Sequence, residues 1–145
     1  MEVSADVTVE GDLGIDKMIA NLKQLDGKKV SAGLFGGFAS KKAMWQEYGT
    51  SRGIPSRPFL RNTLYENDAR WGNEIAPMVI TMMMNGGGSE TVMSKLGERM
   101  QNDIKKTIDA GNFAPLAAST VVRKGSSKPL VDTGDMYGSI TWREG

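Results

Sequence analysis

The chain has neither cysteine nor histidine among its 145 residues. The first absence excludes disulfides, thiolate nucleophiles and cysteine-ligated metals, and suits folding in a reducing cytoplasm. The second removes the commonest metal ligand and the commonest general base near neutral pH. An enzyme built on this sequence would have to work with carboxylates, Lys, Ser, Thr or Tyr. An excess of one charge is missing too: 18 Lys and Arg against 17 Asp and Glu leave a net charge of +1. That falls short of the basic excess of a protein that wraps nucleic acid. No apolar run approaches the ~18 residues of a membrane span. The first six residues carry neither a basic nor an apolar leader. These absences predict a soluble cytosolic chain with no catalytic group, no cofactor, no metal site and no membrane contact. The length suits one domain over residues 1–145, able to bury about two-thirds of its unfolded surface.

What is present is a mixture of strand and helix patterns. Val3, Ala5, Val7 and Val9 alternate with polar residues and predict a half-buried strand closed by Gly11. Ile15, Met18, Ile19, Leu22 and Leu25 form a helical stripe ended by Gly27. Residues 30–35 read as a buried strand. A short helix over residues 41–48 is expected to carry Ala43, Met44, Trp45 and Tyr48 into the core. Beyond Pro58 a helical spacing runs through Phe59, Leu60, Leu64, Trp71 and Ile75, with Pro77 expected to kink or interrupt it before the apolar run 78–84. Three consecutive methionines, Met82 to Met84, cannot all face inward on one helix, so at least one is expected to be exposed. Asn85 to Gly88 break the pattern, Ser89 is the expected cap, and Val92, Met93, Leu96, Met100, Ile104 and Ile108 mark a long amphipathic helix stopped by Gly111. A short helix over 117–123, an exposed basic loop over 123–128, a capped turn through Tyr137 and a last strand over 139–143 complete the order. The sum is an α+β fold: a small mixed or antiparallel sheet packed against two or three helices, with long extended loops.

Two fragments invite a catalytic reading. Asp132-Thr133-Gly134 matches the Asp-Thr-Gly string of aspartic proteases, but such enzymes need two carboxylates sharing a proton, and one copy is present. A homodimer would have to supply the second; capping of the following turn is the preferred role. Gly86-Gly87-Gly88-Ser89 lacks the lysine and spacing of a phosphate loop and reads as a hinge.

The most distinctive segment runs from Glu47 to Arg61, with three arginines, two prolines, two glycines and a phenylalanine in fifteen positions. Each proline biases the residue before it toward an extended conformation, so the segment is expected to cross the surface stiffly. Arg57-Pro58-Phe59-Leu60-Arg61 would then present an apolar anchor between two guanidinium groups, as buried parts of interfaces do.

The string Glu-Tyr-Gly-Thr at 47–50 followed by Ile-Pro-Ser-Arg-Pro-Phe-Leu-Arg at 54–61 resembles the neck and tail-completion family of long-tailed bacteriophages. Pro129-Leu130-Val131-Asp132-Thr133-Gly134 followed by Ser139-Ile140 resembles that family's closing pattern. The resemblance implies a structural virion protein without catalytic residues, assembled in the host cytoplasm as a ring, six-fold or twelve-fold, in the neck between the head connector and the tail tube. Its partners would be itself, the head connector or head-closure protein, and the tail tube or tail terminator. The expected interface comprises Arg52, Ile54, Pro55, Arg57, Pro58, Phe59 and Arg61, with Arg123, Lys124 and Lys128 from the basic loop. Repeated around a ring, these cations would line a channel and touch DNA without reading its sequence. Alternatives are a tail terminator or minor tail protein, a dimeric Asp-Thr-Gly hydrolase, and a small nucleic-acid-binding protein.

Overall fold

Alternating residues near the two chain ends and the apolar run after Gly27 combine into one antiparallel sheet. The computed structural model describes residues 1–6, 15–111 and 135–145. In chain order these form β1 (Glu2–Ser4), α1 (Asp16–Leu22), a single 3-10 turn (Lys23–Leu25), β2 (Lys29–Gly33), α2 (Gly37–Tyr48), α3 (Phe59–Asn85), α4 (Ser89–Ala110), α5 (Asp135–Gly138) and β3 (Thr141–Glu144). The result is a small, helix-rich α+β fold, as the pattern predicts.

The sheet has β2 at its centre, antiparallel to β1 and to β3. Val30 faces Val3 across one ladder, and Ala32 faces Trp142 across the other. Val30 and Ala32 are buried. Both edges end in exposed ion pairs, Lys29 with Glu2 and Lys28 with Glu144, which fix register more than they stabilise.

α4 is the central element. Its stripe of Val92, Met93, Leu96, Met100, Ile104 and Ile108 is buried, and the helix packs against β2 and β3 as well as α3. Gly97 lies under the Trp142 ring, where an added Cβ would come within 2.2 Å of the indole. A mid-helix glycine is unfavourable by about 1 kcal/mol; here it opens the space in which Trp142 joins sheet to helix. On the opposite side, Asp103 Oδ2 accepts hydrogen bonds from Trp71 Nε1 at 2.6 Å and Arg70 Nη2 at 2.7 Å. The hydroxyls of Thr63 and Thr107 lie 2.7 Å apart.

Three expectations change. α3 runs unbroken through Pro77. A proline deprives the carbonyl four residues back of its donor, and Asn73 at that position is exposed, so water can take the donor's place. The residue at the start of α4 is Gly88, left-handed at φ 84°, with no side-chain cap from Ser89. β2 stops at Gly33 rather than continuing to residue 35. Of the three consecutive methionines, Met82 is buried, Met83 half-buried and Met84 exposed. Val7, Val9, the helix expected over 117–123, the basic loop and Asp132-Thr133-Gly134 lie outside the described residues.

Candidate functional site

The distinctive segment folds back on itself instead of crossing the surface. Gly49 ends α2 with φ 75°, and its N–H donates to the Trp45 carbonyl at 2.8 Å. A Cβ there would lie 2.8 Å from the Ile54 oxygen, so the turn requires glycine twice over, for its φ and for its close approach. Thr50 N–H donates to Ile54 O at 2.9 Å, and Ile54 N–H to Thr50 Oγ1 at 3.3 Å. Ser56 Oγ then donates to Glu47 O at 2.8 Å.

Glu47 is the knot. Its side chain is buried, with Oε2 accepting from Leu60 N–H at 2.9 Å and Oε1 from Arg61 N–H at 3.0 Å and Arg61 Nε at 2.9 Å. Arg61 Nη2 also donates to the Glu47 carbonyl at 2.7 Å. Pro58, the residue before α3, has no side-chain acceptor to cap the helix. A carboxylate from α2 therefore takes the first free amides of α3 and sits at the positive end of its dipole. Both halves of the motif contribute to this clasp, Glu47, Gly49 and Thr50 from the first and Leu60 and Arg61 from the second.

The clasp redistributes the residues expected on a docking surface. Phe59 is fully buried and belongs to the core, and Arg57 is 4% exposed with Nη1 donating to Gln46 Oε1 at 2.9 Å. Burial lowers the Arg57 pKa from its ordinary value. These two are corrected from outward anchor to inward brace, because the fold-back turns Phe59 into the core and Arg57 onto Gln46 of α2. Ile54 and Pro58 are half-buried, Arg52 and Pro55 are exposed, and Arg61 keeps 43% of its side chain in solvent. Arg123, Lys124 and Lys128 lie outside the described residues.

The surface that emerges instead is α2 itself. Ala43 and Glu47 face inward, while Phe38, Met44, Trp45 and Tyr48 are 60%, 62%, 41% and 66% exposed. The expectation that Met44, Trp45 and Tyr48 enter the core is overturned. Helical spacing puts Phe38, Lys41, Lys42, Trp45 and Tyr48 on the side opposite Ala43 and Glu47, and burying the clasp carboxylate turns the aromatics out. Phe38 and Trp45 meet edge to face with centroids 5.9 Å apart. Lys42 lies 5.0 Å over Phe38 and the Arg61 guanidinium 4.9 Å over Tyr48, geometries that hold the rings in place. Beside this face is an open, mainly apolar cleft of about 340 Å³, lined by Met1, Leu34, Met44, Tyr48, Leu60 and Leu64 among others. These exposed rings, gathered on one helix face beside a cleft, are the candidate contact surface of the described residues.

Sequence reasoning missed Phe38 and misplaced the other three. The available signal was the wheel of α2, which opposes one alanine and one carboxylate to three rings. Among the described residues no group of three or more acids is placed to hold a metal ion, and no helix is long and apolar enough to cross a membrane. No family model, no curated protein and no solved structure matches the chain. The likeness to neck and tail-completion proteins rests on the two motifs.

Proposed function

We propose that this chain is a structural subunit of the neck of a tailed phage, completing the tail or joining it to the head as part of a ring. The observation that carries the reading is the outward aromatic face of α2, held rigid by the clasp that the motif residues build. A face of this kind on a chain without His or Cys suits recognition by shape, with no chemical step. In this role Trp45, Tyr48 and Phe38 are the anchors, and Lys41, Lys42, Arg52 and Arg61 form a polar rim. Arg52, with Arg123, Lys124 and Lys128, repeated around a six-fold or twelve-fold ring, would give a positive channel that guides DNA by its phosphates. Assembly would take place in the host cytoplasm and the finished site would be the virion neck.

The test is particle assembly in the phage that carries this chain. Removing the protein is expected to leave filled heads and finished tails unjoined, with infectivity restored by supplying it in trans. Tails of uncontrolled length would point to a tail terminator instead, and intact infectious virions would contradict the reading.

A further inference from the structure

The sheet ends in two open edges, and its ladders fix which backbone groups lie on them. Ala32 N–H donates to Met1 O at 3.0 Å, and Gly145 N–H to Lys29 O at 3.0 Å. Because bonding alternates along an antiparallel pair, Val3 and Ala5 turn their N–H and C=O toward β2, as Thr141 and Arg143 do from the other side. The same groups of Glu2, Ser4, Trp142 and Glu144 point outward, and among the described residues they have no hydrogen-bond partner. Such a row is a template for another strand. The two edges differ in charge. Alternation sets Glu2, Ser4 and Asp6, all exposed, on the outer face of β1, with Val3 against the core. On β3 the exposed outer residues are Thr141 and Arg143, while Trp142 packs inward. Arg143 lies 4.1 Å over the Phe35 ring, and neither it nor Asp6 joins an ion pair among the described residues.

We propose that β1 of one copy pairs in parallel with β3 of the next, so that the sheet continues from chain to chain. This contact deepens the ring reading above, on which it rests, and leaves the α2 face to the other neck components. β1 and β3 both run antiparallel to β2 and hence parallel to each other. A neighbour added in the same orientation, its helices on the same side of the sheet, therefore offers β3 to β1. Among the registers that join the outward groups, one sets Val3 beside the neighbour's Trp142, apolar on apolar. Ser4 N–H then donates to the Trp142 C=O of the neighbour, whose Trp142 N–H donates to Glu2 C=O and whose Glu144 N–H donates to Ser4 C=O. The neighbour's Arg143 falls beside Ser4, between Glu2 and Asp6, one diagonal step from either carboxylate and within reach of a long side chain. Charge selects this partner. Pairing β1 with a second β1 would gather acids, and pairing β3 with a second β3 would set two arginines on one face; like charges side by side destabilise a strand pair. Two different edges make a heterologous contact, which repeats until a ring closes.

The experiment uses the full chain and light scattering. Native protein is expected at multiples of the 15.7 kDa single-chain mass, rising with concentration. Ser4→Pro removes an outward donor and no bond from β1 to β2, so it is expected to keep the native far-ultraviolet spectrum and stay at the single-chain mass. Arg143→Glu reads the same contact through charge, with the backbone untouched, and decides the matter if the proline variant does not fold. It too is expected to stay single, and Asp6→Arg in the same chain to bring assembly back. Glu2→Cys with Thr141→Cys tests the register. Within one chain these positions lie two strand spacings apart, about 10 Å or more, beyond the ~7 Å that a disulfide spans. Mild oxidation is therefore expected to give a ladder of covalent oligomers. The pairing is overturned if the native chain stays single up to its solubility limit, or if a folded Ser4→Pro or Arg143→Glu chain assembles as the native one does. Either cysteine alone linking chains as fast as the two together overturns it as well, since each edge would then meet its own kind. None of these outcomes touches the particle-assembly test of the neck reading, so the two can fail separately.

Discussion

Glu47 shows how much one residue can carry. Its carboxylate caps α3, pairs with Arg61 and, by turning inward, turns Trp45 and Tyr48 outward. Loss of a cap costs about 0.5–2 kcal/mol. The ion pair adds less than a fully buried one because Arg61 is 43% exposed. Glu47→Ala is therefore expected to destabilise by roughly 2–3 kcal/mol in urea titration, with Glu47→Gln intermediate; a shift below about 0.5 kcal/mol would contradict the clasp. Gly97→Ala opposes helix propensity to sterics. Alanine gains about 1 kcal/mol in a helix interior, but a Cβ at 2.2 Å from the Trp142 ring demands that the indole move. The clash is expected to win, lowering the melting temperature and shifting the Trp142 indole N–H resonance. At Tyr137, burial first and the hydrogen bond to Asp109 second raise the phenol above its ordinary 10.0. A raised pKa means stability present below that ordinary value and lost as pH rises through the folded one. Alkaline melting of Tyr137→Phe should show less of that loss than the native chain.

At the scale of elements, two tryptophans separate core from surface. Trp71 is buried on α3 with its N–H on Asp103, and Trp45 is exposed on α2. Trp71→Phe gives up a hydrogen bond to a charged group, worth about 1.5–3 kcal/mol. Trp45→Asp gives up the edge-to-face contact with Phe38 and is expected to cost less, about 1 kcal/mol, the difference being read from urea midpoints. The same contrast explains what the sequence revealed. α4 was legible because its apolar residues keep one stripe through about five turns, and β1 and β3 in part because their residues alternate, whereas β2 ends two residues before the sequence pattern does. α3's passage through Pro77 was not, since it depends on whether the Asn73 carbonyl reaches water, a tertiary fact. Nor was the orientation of α2. Its rings look like core until Glu47 and the amides of Leu60 and Arg61 are known to meet, thirteen and fourteen residues apart. Arg57 and Phe59 were misread for the same reason: prolines specify local stiffness, not which way the chain turns back.

At the scale of the whole molecule, a net charge of +1 hides an uneven surface, with exposed rings and two lysines gathered along α2. The fold serves this surface: the sheet and α4 form the rigid body, and the clasp fixes α2 upon it. The most direct measurement is infectivity of the phage carrying the chain when the only copy supplied is Trp45→Asp with Tyr48→Asp, shown by urea titration to be folded at the assay temperature. The expected result is loss of joined, infectious particles despite a folded protein. Native infectivity from that variant would contradict the claim that the outward face of α2 is where this chain does its work.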